Sequence, residues 1–167
     1  MRDSVDVLVV GAGPVGLLLA CELQRLGVDH LLVEKAPERA YFCKAMGVTP
    51  RTLEIFEALG VVDQAIDAGV WLNGMTAFNN GEETQSQDPP FEGLPYGFLA
   101  LPQYETERIL EAGLYRHGGS VQRGITLAGF KDAPEGVGWP RVSGWRCRPH
   151  PSAHRRPGHE HGVPGRA

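Results

Sequence analysis

The stretch VDVLVVGAGPVGLLLACELQRLGVDHLLVEK, residues 5–35, decides the fold. It opens on VDVLVV (5–10), a short apolar run rich in β-branched residues. Such a run predicts a strand buried on both faces. A glycine-rich turn follows. Then Val15, Leu18, Leu19, Leu23 and Leu26 recur at helical spacing, and Gly27 stands where a helix can end. DHLLVE (29–34) reads as a second buried strand. Strand, helix and strand in so short a span form a βαβ unit, and such units build parallel sheets. The expected class is therefore α/β, with a Rossmann-like core.

The turn between the first strand and the helix is Gly11-Ala12-Gly13-Pro14-Val15-Gly16. Each position has a physical task. Gly11 allows the sharp exit from the strand. Gly13 lets a pyrophosphate approach bare backbone. Gly16 lets the helix pack close to the sheet. Ala12, Pro14 and Val15 supply the rest of the loop and the first helical turn, whose N–H groups and partial positive charge favour phosphate. Glu34 closes the second strand, 18 residues after Gly16. A carboxylate at that place can accept both hydroxyls of an adenosine ribose and disfavours a 2′-phosphate. Lys35, next in sequence, is counted with the same end of the site.

Downstream, TPRTLEIFEALG (49–60) predicts a helix capped by Thr49, with Pro50 at its first position and Gly60 at its end. VVDQAIDAG (61–69) predicts one or two more turns. Residues 70–101 break into short runs with Asn-Gly and Pro-Pro signals, which predict a β-hairpin excursion turning at NNG, 79–81. YETERILEAGLYRHGG (104–119) is helical in pattern, and VQRGITLAGF (121–130) predicts a strand broken at Gly124. Glu105, Glu107 and Glu111 are expected on a solvated helix face. His30 is expected to be structural, and His117 to sit at a helix C-terminus.

Charge divides the chain. Residues 1–136 hold ten Lys and Arg against nineteen Asp and Glu, a net −9. Residues 137–167 hold six Arg against Glu160, a net +5, which together make −4. An acidic body argues against nucleic acid as the partner. Asp3 and Asp6 and the interrupting glycines argue against an export leader, and no apolar run reaches the ~20 residues of a membrane span. Cys21, Cys43 and Cys147 form no CxxC, so a reducing, cytoplasmic setting and no structural metal are expected.

Three ordered blocks carry a family resemblance. GAGPVGLLLACELQRLGVDHLLVEK, KAMGVTPRTLEIFEALG (44–60) and LPQYETERIL (101–110) together resemble the class A FAD-dependent monooxygenases, the aromatic and polyketide hydroxylases related to p-hydroxybenzoate hydroxylase. The resemblance covers most of residues 4–130. It implies a glutathione-reductase-type FAD-binding domain, with the start of a β-rich substrate region at about 70–101. It also implies FAD as cofactor, NAD(P)H as co-substrate, and a small aromatic or polyketide-type substrate. By the same resemblance Lys44 stands where the family often carries Arg near the FAD ribose and pyrophosphate, and an ammonium lacks the planar bidentate fork of a guanidinium. Arg51 is a weaker candidate for that region, with an exposed helix arginine as the alternative. Gln103 matches the glutamine near the ribityl chain, and an amide can both donate and accept there. The match assigns no catalytic residue. Another FAD oxidoreductase, such as a halogenase or a reductase, and a non-catalytic FAD-binding fragment are the competing expectations.

Two family signatures, Asp-Gly beyond residue 130 and a later Gly-Asp, do not occur. Arg, Pro, Gly and Ala make up 18 of the last 31 residues, against 45 of the first 136. These are residues of GC-rich codons, so residues 137–167 are expected to be a disordered, non-family tail of the kind a shifted reading frame produces. Its Cys147, His154, His159 and His161 fit no standard zinc spacing, and its arginines lack the aromatic interleaving of a nucleic-acid surface. A homo-oligomer or a separate C-terminal portion is an expected partner.

Overall fold

The computed structural model describes residues 5–87, 93–129, 131–133 and 136–138. The tail beyond Gly138, with Cys147, His154, His159, His161 and its arginines, lies outside the described residues.

Strand β1 (Val7–Val10) leads through the glycine turn into helix α1 (Pro14–Arg25) and returns as β2 (His30–Glu34). β1 and β2 are parallel, with Val7 opposite His30 and Val10 opposite Val33. Gly27, at φ +70°, takes the left-handed turn that ends the helical segment. His30 is structural, its Nδ1 3.0 Å from the Val28 carbonyl. A third parallel strand, β8 (Val121–Arg123), joins the other side of β2, with Leu32 opposite Val121 and Glu34 opposite Arg123.

One expectation is corrected here. β1 is not buried on both faces: Val9 lies in the core, but Val10 is 54% exposed. Side chains alternate along a strand, and the Val7–Val9 face of β1 packs into the core while Val10 lies on the other face. β8 is also shorter than expected. It stops at Gly124, whose φ of +74° turns the chain, and residues 125–129 form no strand. Instead Gly124 N–H and Ile125 N–H bond the carbonyls of Ala36 and Glu34.

Between β2 and β8 the chain builds a second layer. β3 (Gly47–Val48) leads into α2 (Pro50–Ala58) and α3 (Val62–Ala68). Thr49 Oγ1 accepts from Thr52 N–H, and Pro50 occupies the first turn, so α2 starts for the reasons its sequence states. β4 (Val70–Leu72) and β3 flank β7 (Phe98–Ala100) in an antiparallel sheet. β5 (Met75–Asn79) and β6 (Glu82–Gln87) form a hairpin whose turn residues, Asn80 and Gly81, both have positive φ. That is the conformation a two-residue Asn-Gly turn requires. Two further short strands, β9 (Lys131–Ala133) and β10 (Gly136–Gly138), pair antiparallel.

Helix α4 (Gln103–Arg116) ties the layers together. Cys21 Sγ donates to the Leu110 carbonyl, and Gln24 Nε2 donates to the His117 carbonyl. Partner numbers rise together, so α4 runs in the same direction as α1. The core along this seam includes Leu17, Ala20, Leu32, Phe56, Ile109 and Leu114. Among the described residues, no helix is long and apolar enough to cross a membrane.

Candidate functional site

The glycine turn is built as its spacing demands. Gly11 has φ +101°, accessible to glycine at little cost. Gly16 leaves no room for a side chain: an added Cβ would lie 1.9 Å from the Gly11 carbonyl oxygen. Gly13 is the opposite case, since nothing lies within 4 Å of its Cβ position. The backbone there is bare toward open space. Gly13 is also the N-cap of α1 and offers no capping side chain, and Pro14 lacks an N–H. The N–H groups of the first turn therefore lack side-chain partners, which is the arrangement that receives a phosphate. Val15 is 81% exposed at this rim.

Glu34 does more than its sequence position implies. Oε2 accepts from Ala12 N–H at 2.8 Å, and Oε1 accepts from Ala36 N–H at 2.8 Å. The carboxylate is thus a strut from the end of β2 to the glycine turn. Partial burial works to raise its pKa, but the Ala36 and Ala12 hydrogen bonds, with the charges of Arg123 and Lys35, hold it below the ordinary carboxylate value. Each oxygen keeps lone-pair capacity for a ligand hydroxyl. Lys35 is exposed beside it.

Gln103 opens α4, and its Nε2 donates to Glu107 Oε1 at 2.9 Å. Because α1 and α4 are parallel, two turns back from the Cys21–Leu110 contact, ~10 Å along each axis, lead to Pro14 and Gln103 respectively. Gln103 thus opens α4 as Pro14 opens α1. Lys44 belongs to the exposed segment that passes the start of α4: Met46 accepts from Leu101 N–H, and the Tyr41 ring lies 6.2 Å from that of Tyr104. Arg51 is different. It pairs with Glu54 on its own helix, and 80% of its side chain is exposed.

The glutamates of α4 require a second correction. Glu105 is on a solvated face and pairs with Arg108, but Glu107 and Glu111 are buried. Glu111 accepts from Arg123 Nη2 at 2.9 Å through both oxygens, from Arg39 at 3.2 Å and from Tyr115 Oη at 2.9 Å. Arg39 is 72 residues away in sequence. No periodicity marks such a partner, so sequence reasoning missed Arg39, Glu111 and Arg123 together. Burial pushes the Cys21 thiol up to about 11, with Glu22 adding to the rise and Arg116 opposing it, which leaves that sulfur protonated and unreactive. Among the described residues no three His, Cys, Asp or Glu side chains are grouped to hold a metal.

A parallel βαβ unit, a bare glycine turn at an uncapped helix N-terminus and a carboxylate ending the next strand define a Rossmann-type dinucleotide-binding protein. The chain belongs to the FAD binding domain family, which matches residues 4–142. It is 32% identical over 143 residues to a flavin-dependent monooxygenase of Mycobacteroides abscessus, covering 80% of this chain and 30% of that protein. It is 33% identical to aklavinone 12-hydroxylase RdmE of Streptomyces purpurascens over 154 residues, 83% of this chain and 29% of the relative. Among solved structures, the flavin-dependent monooxygenase PieE in complex with FAD and substrate superposes with a TM-score of 0.72 at 28% identity, covering 82% of this chain and 27% of PieE. The chain thus spans about 30% of the length of the curated relatives it matches.

The residues present fit FAD. The open backbone at Gly13 and the uncapped first turn suit its pyrophosphate, and ionised Glu34 suits its adenosine ribose.

Proposed function

We propose that this chain is the FAD-binding portion of a flavin-dependent monooxygenase that hydroxylates an aromatic or polyketide-type small molecule with NAD(P)H and dioxygen. The observation that carries the reading is the cradle itself: Gly13 open, Gly16 closed against Gly11, and Glu34 anchored between them and β2. Relatives matched over about four-fifths of this chain, named as a flavin-dependent monooxygenase and an aklavinone hydroxylase, support the reaction class and the substrate class.

In this reading the first turn of α1 holds the pyrophosphate, Glu34 accepts the ribose hydroxyls, and Gln103 and Lys44 line the path from the glycine turn toward the rest of the cofactor. When bound, FAD would supply the redox chemistry that links NAD(P)H and dioxygen. Arg51 has no part beyond its helix. A cytoplasmic location is the natural setting for such an enzyme.

The test is purification of the full chain followed by titration with FAD, read by flavin fluorescence and absorbance. Saturable binding, competed by ADP and weakened when Gly13 is replaced by Ala, supports the reading. Absence of flavin binding overturns it for this chain. NADPH consumption stimulated by a phenolic compound then separates a hydroxylase from other flavin oxidoreductases.

A further inference from the structure

The Glu34 end of the site depends on a charge that no motif announces. Arg123 ends β8 directly opposite Glu34, the last residue of β2, in the parallel pairing. Its guanidinium does not roam: Nη2 donates to both oxygens of buried Glu111 at 2.9 Å. Glu111 is itself only 10% exposed at its side chain and is also bound by Arg39 and Tyr115. Arg39 comes from the loop that leaves β2, so the same carboxylate fastens the segment following Glu34 and the strand beside it. Two guanidiniums on one carboxylate leave a surplus positive charge, fixed at the end of the strand that pairs beside Glu34.

We infer that Arg123 is a positioning residue for Glu34: clamped by Glu111, it holds a fixed cation beside that carboxylate and keeps it ionised and docked on the Ala12 and Ala36 amides. The inference rests on Glu34 as the ribose acceptor of the proposed cofactor site. The other groups acting on Glu34 are few. The glycine turn presents Ala12 N–H and the α1 N-terminus, the post-strand turn presents Ala36 N–H, and β2 itself is followed by Lys35. Glu111 and Arg39 meet Arg123 behind it. The lowered Glu34 pKa, to which Arg123 contributes, agrees with the geometry.

The experiment compares Arg123→Gln, Arg123→Lys and Glu111→Gln in the full chain. The first readout is the titration midpoint of the Glu34 carboxyl by carbon-13 NMR without ligand, and the second is the pH below which FAD affinity falls. Arg123→Gln should raise both by about half a pH unit or more. Arg123→Lys should restore most of the shift, and Glu111→Gln should raise the midpoint less than Arg123→Gln, because it unclamps the cation without removing it. Both Arg123→Gln and Glu111→Gln break the Arg123–Glu111 hydrogen bonds, so a merely structural role of that pair would move both the same way. An unmoved midpoint in Arg123→Gln, or an equal rise in both, overturns the inference. If Arg123→Gln does not fold, the double variant Arg123→Gln with Glu111→Gln decides: a raised midpoint supports the inference, and one near wild type overturns it. Should the wild-type chain bind no FAD at any pH, the cofactor reading fails, while the carboxyl titration still decides whether Arg123 controls Glu34.

Discussion

Two glycines in one turn have different costs of replacement. At Gly16 a methyl group would meet backbone, which cannot swing aside. Gly16→Ala is therefore expected to destabilise the chain by about 1–3 kcal/mol, as overpacking does, and to weaken flavin binding with it. At Gly13 the backbone has an ordinary negative φ and no neighbour within 4 Å. Gly13→Ala should melt within a few degrees of wild type yet lose at least tenfold in FAD affinity, because the methyl group fills the approach of the pyrophosphate. Equal loss of stability in the two variants would contradict this account. Glu34 carries a pH signature of its own. Its folded pKa is depressed, so its contribution is present above the ordinary value of 4.5 and is lost as pH falls through the lower folded value. Denaturant unfolding from pH 3 to 7 should show Glu34→Gln less stable than wild type near neutrality, with the gap narrowing below pH 4.5.

Helix α4 is the element on which the layers depend. One side packs on α1 through Leu110 and Leu114, and its polar side gathers Arg39, Arg123 and Gln103. Truncating Glu111 strands two guanidiniums that are about one-fifth to one-quarter exposed. Glu111→Ala is expected to cost about 2–4 kcal/mol by chemical denaturation, somewhat below a fully buried pair. A cost within about 0.5 kcal/mol, the range of ordinary surface changes, would mean that the network is dispensable. The helices α1, α2 and α4 were legible in advance from their apolar period, reinforced by Gly27 at the end of α1 and by Thr49 and Gly60 at the two ends of α2. The strands were less legible. A run such as VDVLVV carries no record of whether one or both faces will be covered: Val10 is exposed, while Val33 beside it on the same face is buried.

At the scale of the molecule, the family match ends at residue 142, and the arginine-, proline- and glycine-rich remainder has little apolar surface to bury. Truncation after Val142 is expected to leave the melting temperature and FAD affinity within error of the full chain. A fall in either would assign the tail a structural role. The sequence by itself determined the cofactor end of this protein. Strand, glycine turn, helix and terminal carboxylate are local features, and local spacing is enough to state the demands of a pyrophosphate and a ribose. Only the tertiary structure decided which charges govern that end. Arg39, Glu111 and Arg123 meet through the parallel packing of α4 and the pairing of β8 with β2. A contact between residues 72 apart leaves no period in a sequence, because the chain registers distance along its backbone while charge acts through space.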